Sequence, residues 1–207
     1  MHYSFNMKVP RYQLILQNVS RFIELTAEES EFFVSLLKHR HIRRRQYLLQ
    51  EGDICKYTVF VNSGCLRSYS VDSNGFEHIL QFAIEDWWIG DMYSHITQQP
   101  GFLNIDALED SDVLLLHRDD QIRLFEQVPK FERFFRILLE KSMVMHQLRL
   151  MENISMSAAQ RYELFAKRYP KIIARVPQTQ IAAYLGITPE FLSKIKKELL
   201  KKSTRTT

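Results

Sequence analysis

The side chains with the clearest chemistry lie between Gln178 and Leu200. Counted from Gly186, small or apolar residues fall at −5, −4, −1, +1, +6 and +9: Ile181, Ala182, Leu185, Ile187, Leu192 and Ile195. Two short helices crossing at a tight turn require that spacing, with Ala182 small where they approach and the larger residues forming a shared core. Gly186 can take the left-handed conformation that ends the first helix. Thr188 can then cap the second, with Pro189 at its first position and Glu190 favourable to its dipole. Such a helix-turn-helix offers its second helix to a DNA major groove, N-terminus first.

The residues left facing outward suit that task. Glu190 can accept a hydrogen bond from a cytosine amino group, and Lys194 and Lys197 can donate to guanine or phosphate. Gln178, Thr179, Gln180, Thr188 and Ser193 stand near helix N-termini, where phosphates are held. Phe191 fits either against a thymine methyl or in the core. The competing account is an ordinary amphipathic helix pair, since short patterns recur by chance. Charge favours DNA: residues 154–207 carry eleven Lys/Arg against three acids, a balance of +8. Residues 1–153 carry 17 basic and 21 acidic groups, a balance of −4. A basic block beside a mildly acidic one points to a polyanion met by the C-terminal part alone. The lysines from Lys201 onward read equally well as a solvated tail.

Other chemistries find little support. Cys55 and Cys65 are the only cysteines in 207 residues, too few for a disulfide scaffold, a CxxC redox site or a four-thiolate cluster. His78, His95, His117 and His146 are isolated, and no His-x-x-x-His pair marks a metal site. No Gly-rich phosphate loop, Gly-x-Ser-x-Gly elbow or paired acid and base stands out, so no catalytic residue, metal or cofactor is assigned and an enzyme is not expected. Apolar residues make up 45% and charged residues 25%, the balance of a globular chain. No stretch approaches the roughly 20 apolar residues of a membrane span, and Met1 to Arg11 holds no signal-peptide pattern. A cytoplasmic location, away from membranes, is expected.

Three textures must position these residues. Residues 11–38 read as helical, with Phe22, Leu25, Phe32, Phe33, Leu36 and Leu37 near helical spacing and Thr26 as an N-cap. From about Ile42 to His117, short apolar runs alternate with turn signals. Tyr57 to Val61, Leu66 to Val71, Ile79 to Ala83 and Val113 to Leu116 read as strands of a compact barrel or roll, with a hairpin at Asn74-Gly75. From Asp119 the chain reads as helical to its end, Pro129 opening a helix that runs without Gly or Pro to about Glu152. Ile137, Lys141, Val144, Leu148 and Met151 trace a coiled-coil-like seam on it, which Lys141 interrupts. A free apolar face on a long helix joining two domains suits dimerisation; packing on its own barrel is the alternative.

As a whole the chain resembles the CRP/FNR family of bacterial transcription regulators, most of all its short members from Bacteroidetes-type genomes. The resemblance rests on Leu48-Leu49-Gln50-Glu51-Gly52-Asp53, Phe60-Val61-Asn62-Ser63-Gly64-Cys65-Leu66-Arg67, Trp87-Trp88-Ile89-Gly90-Asp91, Ala107-Leu108-Glu109-Asp110-Ser111 and Gly186-Ile187-Thr188-Pro189-Glu190. It implies an α+β chain: a cyclic-nucleotide-binding-like β-roll over residues 1–128, a dimerisation helix over 129–153 and a helix-turn-helix domain over 154–207. The partners it implies are double-stranded DNA with a near-palindromic operator, a second copy of the chain, and RNA polymerase.

Two departures qualify the resemblance. In relatives that bind cAMP, a Phe-x-Gly-Glu supplies an acid for the ribose and an Arg-(Ser/Thr)-x-Ala segment neutralises the phosphate. Here Trp88-Ile89-Gly90-Asp91 matches the first part, but Ser94 to Ala107 holds no Arg or Lys, and Gly101 stands about where the arginine belongs. The candidate pocket residues are therefore Trp88, Gly90, Asp91 and, as the one possible cation, His95. An unpaired buried phosphate costs several kcal/mol, so tight cAMP binding is not expected and the effector is left unidentified. Asp91 is then more simply a structural hydrogen-bonder, and Trp87 and Trp88 core residues. In the C-terminal domain the wing that follows the recognition helix in relatives is cut short, and Pro189 replaces a DNA-contacting arginine. The expected function is a homodimeric, sequence-specific regulator. The alternative is a small-molecule-sensing or protein-docking module that no longer reads specific DNA.

Overall fold

The computed structural model describes residues 10–203, with side chains as far as Lys201; residues 1–9 and the tail around Arg205 lie outside the described residues. The described chain packs as two compact units. One takes in the chain up to Ser68 together with Phe82–Ser142, and the other Tyr69–Gln81 together with the chain from Met143 onward.

In the first unit, the helical stretch expected over residues 11–38 resolves into α1 (Pro10–Ser20), α2 (Ala27–Ser35) and the start of a strand, β1 (Leu37–Ile42). Thr26 opens α2 with a capping box: the Glu29 N–H donates to Thr26 Oγ1 (3.2 Å) and the Thr26 N–H to Glu29 Oε2 (2.8 Å). Leu37 leaves the helical register because it pairs with Leu116 in an antiparallel ladder, a tertiary partner that overrides local spacing.

Further strands follow: β2 (Tyr47–Leu49), β3 (Tyr57–Ser63), β4 (Leu66–Val71), β5 (Glu77–Ala83), β6 (Trp88–Ile89), β7 (Asn104–Ala107) and β8 (Ser111–His117). A short helix, α3 (Met92–Thr97), interrupts them. They form two four-stranded sheets, ordered β1-β8-β3-β6 and β2-β7-β4-β5. The β4–β5 turn falls at Asn74-Gly75 as expected, with Gly75 at φ +83° and its N–H bonded to the Asp72 carbonyl (3.0 Å). Alternate residues point inward, so Leu49, Val59, Val61, Leu66, Ile105, Val113 and Leu115 share one inner cluster. A second cluster gathers Phe33, Phe60, Leu114, Phe131 and Phe134 with α1. Edge strand β1 carries Lys38 and Arg40, and the exposed Arg43 to Arg45 follow it, as charges that discourage edge pairing.

Beyond α4 (Arg118–Gln127) runs α5 (Lys130–Ser155), which starts just after Pro129. The second unit then adds α6 (Ala158–Arg168), α7 (Pro170–Arg175), α8 (Gln178–Leu185) and α9 (Pro189–Ser203). Its core comprises Phe165, Ile172, Val176, Ile181, Ala182, Leu185, Leu192 and Ile195, all buried. Ser157 caps α6 through a second capping box with Gln160.

Candidate nucleic-acid interface and effector site

The α8–α9 pair is built by the local signals of its sequence. Gly186 adopts φ +65°, ψ 37° and ends α8, its N–H meeting the Ala182 and Ala183 carbonyls. Three residues on, Pro189 begins α9, and the Phe191 N–H donates to Thr188 Oγ1 (3.2 Å). Five of the six residues spaced about Gly186 are buried and Ile187 is half-buried. Burying that apolar set holds the two helices at a fixed angle, so the exposed ends keep a defined geometry.

On the outer surface stand Thr179, Thr188, Pro189, Glu190, Ser193, Lys194 and Lys197, all exposed. Phe191 is exposed at 46%, which places it outside the core and beside Glu190 on α9. Gln178 and Gln180 are half-buried at the start of α8, and Gln180 Nε2 reaches Glu77 Oε2 at 3.4 Å. Ser193 Oγ donates to the Pro189 carbonyl (2.9 Å), so that hydroxyl is engaged within its own helix. The ensemble is an acid, two lysines, hydroxyls and an aromatic ring presented from the first turns of one helix. It can donate to phosphates and both donate to and accept from base edges.

The seam residues of α5 divide in two. Ile137 is half-buried, and the Lys141 ammonium lies 4.1 Å from the centre of the Phe22 ring. Val144, Leu148 and Met151 are open, at 54%, 44% and 55% exposure, alongside Met143, Leu150 and Ile154.

In the first unit, Trp88 is held by aromatic packing: its ring meets Phe60 at 5.3 Å, Phe135 at 5.6 Å and Phe134 at 6.1 Å, and its indole N–H donates to Asn18 Oδ1 (3.2 Å). Asp91 is the N-cap of α3, its Oδ1 accepting the Ser94 N–H (3.1 Å). Its Oδ2 is buried without a hydrogen-bond partner. A Cβ on Gly101 would overlap that oxygen and come within 3.1 Å of the Ser94 Cβ. Gly101 is also bracketed by backbone: its carbonyl accepts from Gly52 N–H (3.0 Å) and its N–H donates to the Asp53 carbonyl (2.9 Å). The segment around Gly101 is thus held against the Gly52-Asp53 loop. His95 is buried, with Nδ1 3.2 Å from the Cys55 carbonyl and Nε2 3.1 Å from Gln121 Oε1, so both nitrogens are engaged. Burial pushes the neighbouring Cys55 thiol up, against the backbone bonds near it.

A cavity of about 410 Å³ opens next to this segment, lined by Leu48, Leu49, Tyr57, Val59, Ile105 and the Gly52–Lys56 loop. Trp88, Gly90, Asp91 and His95 stand outside that lining. One pair went unanticipated: Arg67 Nε and Nη2 hold Asp106 at 2.7 and 3.0 Å, both side chains almost fully buried. The two residues lie on neighbouring strands, β4 and β7, so only the sheet order brings them together. Among the described residues, no three His, Cys, Asp or Glu side chains gather to hold a metal ion, and no helix is long and apolar enough to cross a membrane.

Comparison with known proteins agrees with this layout. Residues 39–128 match the cyclic nucleotide-binding domain family. The transcriptional regulatory protein btr of Bordetella pertussis is 23% identical over 185 residues, covering 84% of this chain and 76% of that protein. FixK2 from Bradyrhizobium japonicum superposes with a TM-score of 0.71 at 18% identity, over 81% of this chain and 86% of its own. A Eubacterium rectale regulator assigned to the CRP/FNR family gives 0.67 at 16% identity, over 86% and 85%. Residues 39–128 thus form a cyclic nucleotide-binding domain, and the chain as a whole shares the fold of the FixK2 and Eubacterium rectale structures.

Proposed function

We propose that this chain is a transcription regulator of the CRP/FNR type, a homodimer that reads a near-palindromic operator through α9 and does so without tight cAMP binding. The observation that carries the proposal is the α8–α9 pair: a left-handed Gly186, a Thr188 cap and a buried apolar seam present Glu190, Lys194 and Lys197 from the first turns of α9. The basic balance of residues 154–207 supports phosphate contact. The open Val144, Leu148 and Met151 support a second copy packed along α5, which would set two recognition helices about 34 Å apart, one helical turn of DNA. Operator, self-association and RNA polymerase would be its partners, in the cytoplasm.

The closed cassette supports the second half of the reading. Asp91 is spent as a helix cap, Gly101 has no room for a side chain, and both nitrogens of His95 are engaged. A loss of several kcal/mol for an unpaired phosphate would turn micromolar binding, about −8 kcal/mol, into millimolar binding.

Two titrations test the two halves separately. A fluorescein-labelled mixed-sequence duplex should bind at 50 mM salt and weaken steeply by 200 mM. Calorimetry with cAMP should show no saturation below about 1 mM. Absence of duplex binding at low salt would remove the DNA reading, and micromolar cAMP binding would remove the closed-cassette reading.

A further inference from the structure

The second unit contains a strand segment as well as helices. Tyr69–Gln81, which holds the β4–β5 turn, belongs to the same compact unit as the helix-turn-helix. Polar bonds join the strand segment to α8, directly near one end of that helix and through an arginine near the other.

At the C-terminal end, the last carbonyls of α8 have no partner inside the helix and need donors from elsewhere. Arg149, projecting from α5, supplies one: its Nη2 donates to the Tyr184 carbonyl (2.8 Å) and its guanidinium lies 3.9 Å from the centre of the Tyr184 ring. The same Nη2 donates to the Ile79 carbonyl (2.8 Å), and Nη1 donates to the Leu80 carbonyl. Those two carbonyls belong to β5, the outermost strand of its sheet. Arg161 completes the end of α8 by donating to the Leu185 carbonyl (3.1 Å). At the N-terminal end, Gln180 Nε2 meets Glu77 Oε2 of β5 at 3.4 Å. One strand therefore touches the helix at its third residue and, through an arginine, at its seventh.

An arginine suits this junction for a geometric reason. Its planar fork can serve several acceptors at once while its face stacks on a ring, which a lysine ammonium cannot do in one position. Burial lowers its affinity for the proton, while the field of Tyr184, Tyr169 and Glu152 works the other way. The charge sits at a helix C-terminus, where the helix dipole favours a cation.

We propose that Arg149 is the positioning residue that fixes α8, and with it the recognition helix α9, to strand β5. The strand continues to Ala83, a member of the inner cluster of the roll. A shift of β5 along its own direction is then felt by the helix that carries Gln178 to Gln180. Removing the guanidinium should loosen the strand segment and the helix pair together, while leaving the sensor ladder between β3 and β8 as it was. This inference rests on the proposed DNA reading only for its consequence at the operator; the coupling itself is a property of the free protein.

Hydrogen exchange on the full-length protein tests it in two arms. Without DNA, Arg149→Gln should raise exchange roughly threefold or more in peptides spanning both 69–81 and 178–200, with 111–117 unchanged. Arg149→Lys should recover part of that loss. Glu77→Ala, which leaves the arginine in place, should give the same pattern at smaller size and keeps the test open if Arg149→Gln does not fold. Faster exchange in 69–81 alone, with 178–200 untouched in both variants, would overturn the proposal. In the second arm a mixed-sequence duplex is added. Linkage requires that DNA binding slow exchange at residues 76–81 in the parent protein and not in Arg149→Gln. Equal protection in both would overturn the coupling, whereas a protein that binds no duplex fails the DNA reading and is still judged by the first arm.

Discussion

The cassette around Asp91 and the turn around Gly186 are both short, glycine-containing segments that open a helix, yet they are built in opposite ways. At Gly186 the determinants of the turn itself are local. The left-handed glycine, the Thr188 cap and Pro189 lie within four residues, and the apolar seam lies within ten. At Asp91 the determinants are distant in sequence. Gly101 bonds to Gly52 and Asp53, His95 to Cys55 and Gln121, and Trp88 to Asn18. The first segment keeps an exposed polar surface because its core is complete beneath it. The second engages its polar groups with one another and with distant backbone. On the proposed reading, the helix pair keeps its outward polar surface more fully than the cassette does.

Substitutions can break or sharpen that contrast. The largest effect is expected from Ile181→Ala: the side chain is fully buried, and its loss should cost about 2–5 kcal/mol of the stability of the helix-turn-helix, read by chemical denaturation. Exchange at 111–117 should be unaffected by it. Next comes Gly101→Ala. Its Cβ would overlap a buried carboxylate oxygen that has little room to move, so a loss of about 1–3 kcal/mol in the sensor unit is expected, with duplex binding of the folded fraction retained. Were the alanine protein as stable as the parent and able to bind cAMP, the closed cassette would be an incorrect description.

On the DNA side, Glu190→Ala should relax preference at one base pair per half-site by about 1–3 kcal/mol, measured by competition between duplexes. Lys197→Ala should instead weaken all sequences alike and lower the salt slope by about one. Equal loss of specificity from both would contradict the division between base and phosphate contacts.

The smallest effect concerns pH. The Asp112 carboxyl sits below its ordinary value: burial pushes it up, but bonds from His39 (2.9 Å) and His41 (3.3 Å) outweigh that. A carboxyl lowered in the folded state contributes stability above its unfolded value, about 3.9, and loses that contribution as pH falls through the lower folded value. Because the group is partly solvated, Asp112→Asn should cost about 0.2–1 kcal/mol at neutral pH and nothing at the acid end of the profile.

How much was legible in the sequence follows the same division. Strand β4 appears at the expected Leu66 to Val71, and the Asn74-Gly75 turn at its expected place, because alternation and turn chemistry are local. The split of residues 11–38 into two helices and a strand was not visible, since the pairing of Leu37 with Leu116 decides it. Arg67 was part of a recognisable run, but its buried bond to Asp106 depends on sheet order and left no mark in spacing. Arg149 was hidden for a similar reason: on α5 it reads as one charged residue beside an apolar seam, and its three carbonyl partners come from β5 and α8.

Selection of binding sites from a random duplex pool at physiological salt, with and without cAMP, tests the central claim most directly. A two-fold-symmetric motif should be enriched equally in both arms, with half-sites about one helical turn apart. Enrichment that appears only when cAMP is present, or no motif in either arm, would contradict that claim.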